Sequence, residues 1–246
     1  MSTREFEATV DTTAGPPGDP ILFTPAGAMA GARRALPLGV SVFAVGAVFG
    51  VLARQVGLGL PGALLMSALV FAGSAQFVAL GLWAAPLPVV AIVLTTLVVN
   101  LRHVLMGAAL RPWLGRLPAA LAYTLAFFMV DESWALTMGD LAAGGRDLAF
   151  LAGSGALLFV AWVGATLVGV TVGAALGDPA HWGLDFAFTA AFVALLVGMW
   201  RGTRDVAPWA VAAVVALAAA HWLPGKWYIL LGGLAGSVAG AVFYDQ

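Results

Sequence analysis

Nine positions of this chain bring polar or flexible chemistry into apolar surroundings. They are Gly73, Ser74 and Gln76 in FAGSAQF, Asn100, Arg102 and His103 in NLRHVLM, Asp131 and Glu132 in DESWAL, and Asp185 in LDFAFTAAFVALL. Between Gln55 and Leu101 no charged residue occurs, so an arginine and a histidine directly after that run call for an explanation. A charge at bilayer depth is costly, and such groups usually face a cavity or a partner.

Arg102 offers donors for a carboxylate, and Asn100 offers an amide that needs partners. Asn100 and His103, three apart, share a helix face, while Arg102 points elsewhere. Two readings of NLRH stay open. Either Arg102 and His103 lie at the end of a span and reach for headgroups, or the helix breaks there and Arg102 meets a carboxylate, on a ligand or on Asp131. In FAGSAQF, Gly73 and Ser74 permit unwinding, which frees backbone groups to hold the charged ends of a zwitterion. The alternative is close helix packing, with Ser74 bonded back to its own helix. Asp131 and Glu132 point about 100° apart on a helix, as carriers of a coupled cation or as an interfacial pair. Asp185 opens a segment, where a carboxylate also complements the helix dipole.

The elements that must position these residues follow from composition. Apolar residues make up 62% of the chain and charged residues 9%, against roughly 45–50% and about 25% in soluble domains. A soluble chain could not cover itself with so few charges, so the class is an all-α polytopic membrane protein. Period-two alternation is missing, which excludes a transmembrane β-barrel. A spanning helix needs about 20 apolar residues. Eight segments come near that, at 36–53, 60–83, 87–109, 118–138, 148–174, 184–200, 206–223 and 226–243. The expectation is a bundle of seven to eight transmembrane helices, some of them broken or re-entrant. With eight crossings and the amino terminus inside, Arg4, Arg33, Arg34, Arg146, Arg201 and Arg204 fall on the cytoplasmic side and Arg54, Arg111, Arg116 and Lys226 outside, a slight bias, although Arg33 and Arg34 before the first segment favour a cytoplasmic start.

Residues 1–32 read as a flexible tail, with acidic residues and clustered Pro and Gly and no apolar core of a signal peptide. Residues 33–246 read as one transmembrane domain. Glycines four apart, at 46 and 50, at 169 and 173, and at 232, 236 and 240, make smooth stripes for close helix packing.

Several classes are excluded. A net charge of −1 gives no basic field for nucleic acid. Cysteine is absent and the three histidines are scattered, so neither a metal site nor a cofactor is expected. Lys226 in LPGKWY has no Ser or Thr after it, so there is no nucleotide-binding loop. An intramembrane enzyme would need a nucleophile with its base, and Ser74 has no histidine on its segment. A solute channel remains as the alternative to a carrier.

FAGSAQF, NLRHVLM, DESWAL and LDFAFTAAFVALL, in that order, resemble the AzlC family of branched-chain amino acid permeases over about residues 30 to 243. The resemblance implies a multi-pass protein of the bacterial inner membrane. It implies a secondary exporter of aliphatic amino acids, driven by an ion gradient and working with a small AzlD-type membrane subunit. Substrate would be held by Gly73, Ser74, Gln76, Asn100 and Arg102 in a midplane cavity lined by broken helices. Ion coupling would fall to His103, Asp131, Glu132 and Asp185.

Overall fold

The computed structural model describes residues 21–175, 193, 197, 200, 202–223 and 227–244. Among the described residues, the helices with defined bounds are α1 (Pro25–Gln55), α2 (Leu60–Val70), α3 (Gly73–Gly81), α4 (Val89–Leu114), α5 (Ala119–Phe127), α6 (Asp131–Ala142), α7 (Ala149–Ala175), α8 (Val206–Trp222) and α9 (Trp227–Tyr244). No strand occurs among the described residues; one isolated bridge pairs Leu22 with Asp147. Helices α1, α4 and α7, and α8 with the turn before it, are long and apolar enough to cross a bilayer.

The segments 60–83 and 118–138, each expected as one span, are each two short helices. α2 stops where Phe71 enters the left-handed region at φ 43°, and α3 begins two residues later. α5 stops at Phe127, and α6 begins at Asp131 after an extended Val130. The break in FAGSAQF therefore falls just before Gly73 and Ser74 rather than on them. NLRH behaves in the opposite way. α4 runs unbroken from Val89 to Leu114 and places Arg102 near its middle. Arg102 is thus neither at a helix break nor at a span's end.

The chain divides into two compact units. One comprises residues up to Val42 with His103–Ala161, and the other comprises Phe43–Arg102 with the chain from Trp162 onward.

In the first unit the start of α1 corrects the tail boundary, because residues 25–32 are helical. The cause is a double cap built on Asp147. Its carboxylate accepts the backbone N–H of Thr24 at 3.1 Å, the Thr24 hydroxyl, and the N–H of Ala149 at 3.0 Å. Thr24 Oγ1 in turn accepts the N–H of Gly27 at 3.0 Å. One carboxylate so satisfies orphan donors at the starts of both α1 and α7. The core of this unit gathers Leu110 from α4, Leu125 from α5, Leu141 from α6, and Leu148 with Leu151 at the start of α7.

In the second unit two of the glycine stripes face each other. A side chain on Gly50 would strike Gly169 and the Thr166 carbonyl, and one on Gly169 would strike the Ala47 carbonyl. α1 and α7 run parallel here, since contacts of α1 residues 46, 50 and 51 fall on α7 residues 162, 166 and 173 in ascending order. The absence of side chains lets the backbones meet where lipid supplies no hydrophobic drive for association. The third stripe serves the same purpose locally, with Gly232 and Gly236 of α9 seated on Ala212 and Ala216 of α8.

Candidate functional site

The second unit carries a closed circuit of hydrogen bonds. Trp162 Nε1 donates to Gln76 Oε1 at 3.1 Å, and Gln76 Nε2 donates to Ser67 Oγ at 3.2 Å. Ser67 and Thr166 hydroxyls lie 2.8 Å apart, and Thr166 Oγ1 bonds the Trp162 carbonyl at 2.9 Å. A threonine hydroxyl has one proton. That proton goes to the carbonyl, so Ser67 is the donor to Thr166. The loop runs from the Trp162 ring through Gln76, Ser67 and Thr166 back to the Trp162 backbone. Ser67, Gln76 and Thr166 are each 0% exposed, so the circuit meets the rule that buried polar groups be paired.

Gln76, expected at the substrate, is therefore occupied at both ends of its amide by protein groups. Its neighbours are equally fixed. The Trp162 ring stacks on Phe49 with centroids 5.6 Å apart and meets Phe77 edge-on at 6.4 Å. Gly73 lies under the same indole, whose ring atoms begin 3.0 Å from where a Cβ would stand. A side chain at this first position of α3 would press on the indole, which would have to shift by a few tenths of an ångström.

Beside this anchored platform, Arg102 Nη2 donates to Ser74 Oγ at 3.2 Å. Both residues are half-buried. The start of α3 has no side-chain cap, so its first N–H groups and its dipole favour a negative group. Because Ser74 accepts from Arg102, its own hydroxyl proton is left to donate. Asn100 stands half-buried two residues before Arg102 on α4. The sequence singled out FAGSAQF and NLRH separately; the structure brings Ser74 and Arg102 together. Ser67, Trp162 and Thr166, which hold the platform, escaped the sequence reading because serine, threonine and tryptophan are unremarkable on apolar helices.

In the first unit Asp131 and Glu132 form the first turn of α6, where carboxylates complement the dipole. They stand at a helix break rather than at a span's end. Ser133 closes that break. Its Oγ accepts the Val130 N–H at 2.9 Å and donates to the Phe128 and Val130 carbonyls. Trp134 Nε1 ties the same turn to the Met106 carbonyl of α4 at 3.2 Å. His103 is half-buried on α4. Asp185 lies outside the described residues. Among the described residues no cluster of His, Asp and Glu could hold a metal ion.

Long apolar helices, a guanidinium halfway along one of them and an interrupted helix pair against it define a polytopic membrane protein. Comparison with known proteins gives the family: residues 37–176 match the AzlC protein family, and the chain belongs to it. An uncharacterized membrane protein of Archaeoglobus fulgidus is 30% identical over 140 residues, 57% of this chain and 60% of that protein. The inner membrane protein YgaZ of Escherichia coli K12 is 29% identical over 157 residues, 62% of this chain and 64% of that protein. The chain thus spans 60% and 64% of the length of these relatives. No solved structure matches.

Proposed function

We propose that the protein is the large subunit of a secondary exporter of branched-chain amino acids, a multi-pass protein of a bacterial inner membrane driven by an ion gradient. The observation that carries this reading is the contact of Arg102 with Ser74 at the uncapped start of α3. A guanidinium, a free hydroxyl proton and unpaired helix N–H groups together suit one carboxylate. The family supports the transport class, and the names of its relatives support a membrane location.

In this reading Arg102, Ser74 and the first N–H groups of α3 bind the substrate carboxylate, with Gly73 keeping the backbone accessible and Asn100 adding an amide. Gln76 acts one step removed, by holding α3 in place. His103, Asp131, Glu132 and Asp185 serve ion coupling, and an AzlD-type small membrane subunit completes the transporter. The membrane segments number seven to eight, with each broken pair counted as one segment.

Feeding a valine-containing dipeptide to cells tests the proposal. Deletion of the protein raises intracellular valine, and re-expression restores it. Unchanged valine pools would reject export of this substrate. In liposomes the flux saturates and collapses with an ionophore; flux that does neither identifies a pore.

A further inference from the structure

The stretch RQVGLGLPGALLMSALVF (54–71) recurs as RPWLGRLPAALAYTLAFF (111–128), with Arg, Leu-Pro, Ala-Leu and Phe at matching places. Each match is separated by the same 57 positions, as Arg111 is from Arg54. Helix ends follow the same register. α2 closes at Val70 and α5 at Phe127, each followed by a phenylalanine at its C-cap. The second members, α3 and α6, then begin at Gly73 and Asp131, one position apart in this register.

Contacts repeat as well. In the second unit Phe49 of α1 meets Phe77 of α3 edge-on, with centroids 5.8 Å apart. In the first unit Met106 of α4 accepts the indole N–H of Trp134 on α6. Phe49 and Met106 hold the same position in the two copies, as do Phe77 and Trp134.

Each short pair also folds back. α2 has 11 residues and α3 has 9, so each rises about half of the roughly 30 Å hydrocarbon thickness. Stacked end to end they would make one span, with Ser67 and Gln76 ~13 Å apart along the axis. Instead their side chains are hydrogen-bonded. Ser67 also rests on Thr166 and Gln76 on Trp162, two residues one turn apart on α7. In the other copy, Leu117 and Leu121 from the beginning of the pair and Met138 and Leu141 from its end share one core with the start of α7. A straight continuation would separate Leu121 from Leu141 by ~30 Å.

We infer that residues 49–80 and 106–137 are two copies of one unit, the end of a spanning helix followed by a re-entrant helix pair, and that each pair returns to the membrane face it left. The second helix of each pair then starts at membrane depth. Ser74 and Asp131 occupy the same position there, a neutral hydroxyl in one copy and a carboxylate in the other. This inference does not depend on what the protein carries.

The chain has no cysteine, so single cysteines report sidedness directly. Leu58→Cys and Ala84→Cys flank the first pair; Ala119→Cys, at the first residue of α5, and Ala143→Cys, just past α6, mark the two ends of the second. With a membrane-impermeant thiol reagent on sealed vesicles of known orientation, the two cysteines around each pair label from the same face. Labelling of either couple from opposite faces overturns the inference, because it makes that pair a single interrupted span. Should Ala84→Cys or Ala143→Cys fail to insert, Ala85→Cys in the loop after α3 or Ala142→Cys at the last residue of α6 takes its place. Labelling needs no transport, so it stands apart from the dipeptide assay.

Discussion

Arg102 Nη2 lies 3.2 Å from Ser74 Oγ, joining the middle of a spanning helix to the first turn of an interrupted one. Neither residue has this setting by itself. The arginine gains a hydroxyl acceptor, and the serine keeps its proton.

Replacing Arg102 with Ala is expected to lower valine export about tenfold or more, the size of a lost charge-assisted hydrogen bond. Arg102→Lys retains the charge but not the planar fork, and recovers only part of the rate. Ser74→Ala costs less than either. Efflux from preloaded vesicles, with membrane levels checked by immunoblot, gives the comparison. Wild-type efflux by Arg102→Ala would remove the guanidinium from the mechanism.

Asp131→Asn keeps size and hydrogen bonding and removes the charge. Its expected outcome is loss of gradient-driven export with insertion intact and substrate exchange across the membrane preserved. Counterflow in liposomes without an ion gradient separates the two. If driven export persists, Asp131 serves only the start of α6.

Gln76→Leu opens the circuit at two places, leaving Ser67 Oγ and Trp162 Nε1 without their partner. A stability loss of about 1–2 kcal/mol is expected from interhelical polar contacts in membranes. Thermal unfolding in detergent should show a lowered midpoint, and Ser67→Ala a smaller shift. An unchanged midpoint for Gln76→Leu would mean that the circuit adds nothing to stability.

Gly169→Leu forces a side chain into the Ala47 carbonyl on α1. Overpacking of this kind costs about 1–3 kcal/mol or more. Gly164, with open space around it, serves as the control: Gly164→Ala should unfold at the wild-type temperature or above. Equal effects at the two sites would show that the α1–α7 contact does not limit stability.

Asp147→Ala removes the shared cap of α1 and α7. The loss is about 0.5–2 kcal/mol per cap, and protease accessibility near residue 24 should rise before the core of that unit unfolds. No change in cleavage would show that water replaces the carboxylate without penalty.

Composition alone makes this chain a helical membrane protein, because 62% apolar residues leave no way to cover a soluble fold. The long helices α1, α4 and α7 were legible as apolar runs, and so were the glycine stripes, since close packing needs a missing side chain at regular spacing. Windowed apolarity is blind to a two- or three-residue interruption, and it merged α2 with α3 and α5 with α6. Only the tertiary structure decided where Arg102 sits and what it touches. The sequence marks a costly charge in the membrane, but its partner lies 28 residues back, on another helix, at a distance that no local spacing encodes. It also decided that Gln76 holds the fold: an amide's need for partners can be read from its type, whereas the identity of those partners depends on which helices fold against it.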